Sequence, residues 1–387
     1  MRYLLSFFII ILSTNLAFST EDQITIGTKH KIYSETLNEE REIWIYLPPN
    51  HNPNGNYPVM YMLDGDRSFT YASGLVKQFA ENDKMPNMIL VGILNTDRNR
   101  DLTPTHVEID EDGNSQPFLK TTGGGDNFLN FMREELAPFI EKNYTSSKFR
   151  IFAGHSFGGL LAVHAFLEQS DFYNAFIAID PSLWWDDGIL NKHLSEKISK
   201  PRNTKNTFYM SSANNDGGNG NIMIAPQEEF MEKLLKWDTD TLNIKSDYYE
   251  NEHHGSVDLI SFFNGLEFIF KNYRFSFDKA IEDPTFLDRH FEVFSSQVGY
   301  QFKPNEAVIN RIAYTYLFMK QDKEKALELF KQNFRDYPYS ANAYDSISDA
   351  YNLMGNKEMA IASLEKALAI DPKFPPSIRK LREIKGE

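Results

Sequence analysis

Between Lys148 and Glu168 the chain passes from an apolar strand-like run directly into an apolar helix, with only Gly154-His155-Ser156-Phe157-Gly158 at the junction. Few architectures accept so abrupt a change of period. A strand that feeds a helix through so tight a turn belongs to a βα unit, whose next strand lies parallel in the same sheet. The same alternation extends from about Ile24 to Tyr273. Strand character is read at Arg41 to Tyr46, Pro58 to Leu63, Asn87 to Leu94, Lys148 to Ala153, Ala175 to Ile179, Thr207 to Met210 and Ile244 to Glu250. Helical spacing is read at Asp126 to Tyr144, Gly158 to Glu168 and Ser256 to Tyr273. The pattern predicts an α/β fold, a doubly wound, mostly parallel sheet covered on both faces.

Beyond about Asp278 the strand pattern stops and a repeat takes over. Ala326 matches Ala360, Phe330 matches Leu364 and Pro338 matches Pro372, each 34 residues apart, and Lys323-Glu324 recurs as Lys357-Glu358. The second copy also carries Tyr344, Tyr351, Gly355 and Ala367 at matching positions. This period, with small residues where helices cross, marks a helix-turn-helix repeat and resembles the tetratricopeptide family, with one good copy and one degenerate one. Two copies form little groove, so the expected all-α tail reads either as a packed cap or as a docking surface for a protein partner. The expected division is a catalytic region over 24–275 and a helical region over 280–387.

The N-terminus has the form of a signal peptide over residues 1–19. Met1 and Arg2 precede an apolar run from Leu4 to Leu12, and Ala17-Phe18-Ser19 offers small residues for cleavage. The run is short for a membrane span, so the mature chain is expected to be exported, to a periplasm or outside the cell, without a stable membrane span. The chain has no cysteine, which excludes disulfides, thiolate nucleophiles and Cys-ligated metals. A formal net charge of -14 with no dense basic block argues against nucleic acid as a partner.

The junction at Gly154–Gly158 fits G-x-S-x-G in the strand-turn-helix setting of a nucleophile elbow, which exposes the hydroxyl of Ser156 above the sheet. A serine hydroxyl is a weak nucleophile and needs a base. Downstream histidines are His164, His193, His253, His254 and His290. Only His253 and His254 follow the last strand and precede a helix, where a catalytic loop belongs. The acid is expected after the strand Thr207 to Met210, which makes Asp216 the natural choice, with Asp180 and Asp186 as competitors and a Ser-His dyad as a further option. An oxyanion hole requires two backbone N–H groups. Phe157 supplies one, and Gly65 or Asp66, after the strand Pro58 to Leu63, the other. Asp64 and Asp66 resemble a fragment of a calcium loop, but the remaining ligand positions are missing. No metal and no cofactor is expected.

The segments PVMYMLDGD (58–66), NTDRNRDLTPTH (95–106), GGGDNFLNFMREELAPFIEKNY (123–144), FAGHSFGGL (152–160), AIDPSLWWDD (178–187) and EHHGSV (252–257) together resemble the α/β-hydrolase esterases that include enterobactin-type siderophore esterases, S-formylglutathione hydrolases, feruloyl esterases and mycolyltransferases. The siderophore-esterase-like branch is nearest. The resemblance implies that the base is His254, before Gly-Ser-Val, and that substrate is contacted near Arg98, Arg100, Trp184 and Trp185. The expected activity is two-step hydrolysis of a small-molecule or glycan carboxylic ester, rising with pH through roughly 6 to 7.5 as the histidine becomes neutral. Acyl transfer to an alcohol acceptor, or a binding or scaffold role carried by the repeats, are the alternatives.

Overall fold

A computed structural model describes residues 24–49, 51–110, 113–215, 220–237, 240–283 and 285–387. The expected signal peptide lies outside the described residues. Among the described residues, eight strands form one sheet. They are β1 (Thr28–Ser34), β2 (Glu39–Tyr46), β3 (Tyr57–Met62), β4 (Ile89–Ile93), β5 (Ser146–His155), β6 (Ala175–Ile179), β7 (Asn206–Ala213) and β8 (Leu242–Tyr249). Their order across the sheet is β1-β2-β4-β3-β5-β6-β7-β8. β1 pairs antiparallel with β2, and β2 antiparallel with β4. Every other pairing is parallel. This is the doubly wound sheet expected from the alternation. β1 went unread in the sequence because it is an edge strand whose TKHKIYS run is mostly exposed, so it lacks the continuous apolar stretch of the inner strands. β4 and β6 are buried at every position, as parallel strands covered on two faces must be.

Helices lie on both faces. On one are α1 (Gly65–Glu81) and, later in the chain, α8 (Asp258–Ile269). On the other are α3 (Gly125–Phe131), α4 (Ala137–Asn143), α5 (Phe157–Glu168), α6 (Trp185–Lys197) and α7 (Gly220–Leu234), while the short α2 (Arg98–Leu102) follows β4. Alternation along the strands divides the core between the two layers. Met60, Met62, Ile151 and Ile177 face α1 and α8, whereas Val59, Tyr61, Phe152 and Phe176 face α3 to α7. α5 is buried over nearly its whole length, which explains why its residues are apolar all round.

The helical tail comprises α9 (Phe277–Glu282), α10 (Thr285–Val298), α11 (Glu306–Tyr314), α12 (Lys323–Asp336), α13 (Ala341–Leu353), α14 (Lys357–Ile370) and α15 (Pro375–Lys385). The period of 34 is visible in the packing. Ala326 and Ala360, and Phe330 and Leu364, are fully buried. Asp322 and Asn356 cap α12 and α14 by accepting from Lys325 N and Met359 N, each satisfying an amide that has no partner inside its helix.

The tail is not strung out on a linker. Phe149, Phe270 and Tyr273 interlock with Phe291, Phe294 and Phe302. The centroid distances are 5.4 Å for Tyr273–Phe291, 5.5 Å for Tyr273–Phe294 and 5.0 Å for Phe149–Phe302. The core under α1 and α8 therefore continues into α10 to α13. These contacts gather at the N-terminal ends of the strands, where Asn52 also donates to the Tyr339 carbonyl and Asn56 to the Tyr300 hydroxyl. Ser156 lies seven residue steps beyond Phe149 along β5, on the order of 20 Å at the rise of a strand.

Candidate active site

Open parallel sheets place their sites at the C-terminal ends of the strands. Ser156 follows β5, Asp180 follows β6, and the loop carrying His254 follows β8. Ser156 has φ 61° and ψ −120°, a conformation that costs a non-glycine residue on the order of 1–3 kcal/mol. Its neighbours hold it there. Ser156 N donates to the Ile179 carbonyl at 3.0 Å, and the Ser156 carbonyl accepts from Leu160 N and Ser182 N. The turn closes so tightly that a Cβ at Gly154 would meet the Gly158 carbonyl at 2.4 Å. The elbow expected from the pentapeptide is thus present, with its serine half-buried at the start of α5.

His254 Nε2 lies 2.9 Å from Ser156 Oγ, and His254 Nδ1 lies 2.7 Å from Asp180 Oδ2. Asp180 is fully buried and accepts three further bonds, from Ala213 N, Gln227 Nε2 and Asn215 Nδ2. Burial acts to raise its pKa, but the bonds from His254, Asn215 and Gln227 outweigh burial and hold the carboxyl below its ordinary range. Ionised, it can only accept, so the Nδ1 proton is on His254 and Nε2 is free to accept from the serine hydroxyl.

Of the carboxylates weighed from the sequence, Asp180 is the one brought to His254. It stands on the turn after β6; Asp216 lies outside the described residues. Asn215, its neighbour, instead donates to Asp180. Of the other histidines, His253 is exposed and turned to its own loop, where its Nδ1 accepts from Gly255 N. His164 and His193 meet each other away from Ser156, and His290 packs among Phe275, Phe286 and Phe291.

The β3–α1 turn stands beside the elbow, since a Cβ at Gly158 would lie 3.4 Å from both Asp64 Oδ2 and Leu63 Cβ. Asp64, at φ 51°, reverses the chain so that Gly65 and Asp66 open α1. Gly65 packs so closely on β4 that a Cβ would meet the Gly92 carbonyl carbon at 2.8 Å. Phe157, Gly65 and Asp66 are first-turn residues, whose amides find no acceptor within their helices.

The four expected substrate contacts divide. Arg98 donates to both oxygens of Asp64 and to the His155 carbonyl, so it ties the β3–α1 turn to the elbow. Its guanidinium also lies over the Phe157 ring at 5.7 Å. Arg100 puts Nε, Nη1 and Nη2 onto Asp101 and Glu39, in a cluster completed by the buried Arg41. Its charge is matched there rather than offered to a ligand. Trp185 is buried, donates its indole N–H to Thr105 and meets Phe157 edge-on at 5.2 Å. Trp184 remains half-buried, with its ring 6.1 Å from that of Phe157. Trp185 is thus built into the wall, whereas Arg98, Arg100 and Trp184 each retain partly exposed surface, Arg98 paired with Asp64 and Arg100 with Glu39 and Asp101.

Sequence reasoning missed a second group behind His254. The His155 ring packs on the His254 ring at 4.4 Å, and its Nε2 lies 3.3 Å from Asp258 Oδ1. Asp258 in turn pairs with Arg67 at 2.7 Å. Burial first, and then the proximity of His254 and Arg67, lowers the His155 pKa to about 3, so this imidazole stays neutral. The only sequence signal was its place inside the pentapeptide.

The strand order, the elbow and the Ser156–His254–Asp180 geometry define a serine hydrolase of the α/β-hydrolase class. The chain belongs to the family described as Putative esterase, which it matches over residues 34–251, and its members act on ester bonds. Residues 341–374 match a tetratricopeptide repeat. Among curated relatives it is similar to ferri-bacillibactin esterase BesA of Bacillus subtilis, with 32% identity over 199 residues, which is 46% of this chain and 67% of that protein. Among solved structures it is similar to an IroE-like serine hydrolase from Shewanella oneidensis. There the TM-score is 0.72 at 28% identity, over 80% of this chain and 99% of the other. An uncharacterised protein from Capnocytophaga ochracea shares the fold over 93% of this chain and 100% of its own, with TM-score 0.61 and 17% identity. Among the described residues no helix is long and apolar enough to cross a membrane.

Proposed function

We propose that this protein is an exported esterase that cleaves a carboxylic ester of the siderophore type through an acyl-enzyme on Ser156. The observation that carries the reading is the unbroken relay from Ser156 Oγ through His254 to Asp180, at 2.9 and 2.7 Å. His254 takes the serine proton as the hydroxyl attacks the ester carbonyl. The Phe157 amide and an amide of the Gly65–Asp66 turn receive the developing oxyanion. His254 then returns the proton to the departing alcohol, and water repeats the sequence to release the acid. Asp180 holds the imidazole in the tautomer this requires. Arg98 and Trp184 are the proposed substrate contacts at the rim.

The siderophore class is supported by similarity to BesA, whose name gives ferri-bacillibactin as its substrate. Export is supported by the N-terminal sequence pattern, a short basic start followed by an apolar run and small residues. The test is to incubate the purified protein with ferri-bacillibactin, a feruloyl ester and a simple chromogenic acetate, and to follow the acid and alcohol released. Preferred cleavage of the siderophore, abolished in Ser156→Ala, is the expected result. Turnover of the acetate alone would retain the esterase and discard the substrate class. No serine-dependent turnover of any ester would discard the reading.

A further inference from the structure

We infer that His164, Glu168 and His193 form a binding site for one transition-metal dication of the zinc class, which clamps α6 to α5. Among the described residues, these three each offer a ligand atom within 4.8 Å of the others. His164 and Glu168 are one helical turn apart on α5 and so share a face. His193 reaches the same point from α6, its ring 6.5 Å from that of His164.

The second observation lies in the imidazoles. His164 is 3% exposed. Its Nε2 is taken by Asp126 Oδ1 at 2.7 Å. Its Nδ1 is buried and has no hydrogen-bond partner, and the same holds for Nδ1 of His193. Buried polar atoms are normally satisfied. Two orphaned imidazole nitrogens beside a carboxylate are the donor set that a borderline dication takes. Asp126 has the place of the outer carboxylate that fixes the tautomer and orientation of a ligating histidine.

Glu168 now pairs with Lys197 at 2.9 Å, and its side chain is 36% exposed, so it can swing from the ammonium to a doubly charged ion. Metal–ligand bonds of about 2.0–2.2 Å place tetrahedral ligand atoms roughly 3.3–3.6 Å apart. Rotation of Glu168 and a small approach of α6 would close the set, with water in the remaining position. No thiolate competes, because the chain has no cysteine. His164 lies eight residues past Ser156, about 12 Å along the helix axis, so the ion takes no part in the ester chemistry. It would act on α6, whose leading residues Trp184 and Trp185 pack on Phe157.

The experiment is titration of the metal-stripped, purified protein with Co²⁺, read by its visible d–d absorption, and with Zn²⁺, read by calorimetry. The wild type is expected to bind one equivalent and to melt at a higher temperature with Zn²⁺. Glu168→Gln and His193→Ala, both at positions with exposed surface, should each weaken binding at least tenfold and lose the thermal shift. Asp126→Asn, which keeps all three ligands, should weaken it by about 10- to 100-fold. Absence of any Co²⁺ band in the wild type would overturn the site. So would uptake unchanged in Glu168→Gln and His193→Ala, which would assign the metal to other histidines. Neither result depends on whether an ester substrate has been found.

Discussion

Asp180 Oδ2 accepts the Nδ1 proton of His254 at 2.7 Å across a sequence separation of 74, and no other carboxylate of the described residues makes a hydrogen bond to that imidazole. Asp180→Asn should therefore lower kcat by roughly 10²–10⁴-fold, because an amide stabilises the wrong tautomer, while the fold is retained. Asp216→Asn should stay within a few-fold of wild type. Steady-state rates on a chromogenic ester separate the two. If Asp216→Asn is the more damaging, the assignment of the acid is wrong.

Ser156→Ala and His254→Ala should each remove labelling by a fluorophosphonate probe and lower turnover by at least about 10³-fold, and the double variant should be little worse than either, since the residues act as a unit. Additive losses would show that they do not.

The pH dependence of stability follows from His155. The unfolded chain protonates this residue near its ordinary 6.5, whereas the folded chain holds it neutral down to about 3. Between those values the unfolded state binds the extra proton, so stability falls as pH drops through the window, by up to about 5 kcal/mol at its acid end. Asp180, lowered below its ordinary 3.8, contributes stability that is present above 3.8 and is lost as pH falls from there through the lowered value. Asp258, raised chiefly by burial, acts in the opposite sense above 3.8. Urea midpoints compared between wild type and His155→Gln should show a flatter acid limb in the variant. An unchanged slope would place the proton uptake elsewhere.

The aromatic seam makes the tail structural. Phe294→Ala removes a ring that is 1% exposed and should cost about 3–5 kcal/mol. A chain ending at Phe275 leaves Phe149, Phe270 and Tyr273 uncovered and should melt lower than the full chain or aggregate. Equal melting temperatures would show the tail to be an independent module.

Gly154→Ala drives a methyl group into the Gly158 carbonyl and should open the elbow. The expected result is a loss of at least about 100-fold in kcat, because a displacement of about 1 Å at the nucleophile has that effect, with little change in KM. Retained kcat would mean that the turn relaxes without moving Ser156.

Much of this was legible beforehand because it depends on local chemistry. The inner strands announce themselves by burial on both faces, and Gly154 to Gly158 by the sterics of one turn. β1 was missed because an edge strand needs only one apolar face. Asp180 directly follows AFIAI on β6, whereas the sequence reading places the acid at the end of β7 and keeps Asp180 as a competitor. The two strands are neighbours in the sheet, so both loops open beside His254, and nothing in a linear pattern says which carboxylate the imidazole will meet. Arg100 has the same loop context as Arg98, yet Glu39, which neutralises it, comes from β2, 61 residues away.

By itself the sequence determined the alternation of strands and helices, the elbow at Ser156, the histidine loop before α8 and the repeat of 34 residues. Each is set by periodicity, turn sterics or spacing within a short span of chain. Only the tertiary structure decided that Asp180 orients His254, that Glu39 neutralises Arg100, that Trp185 belongs to the wall, and that the tail closes the far end of the sheet. Those outcomes rest on side chains meeting across the C-terminal ends of different strands, or across a core shared by distant helices, and such contacts exist only once the chain has folded.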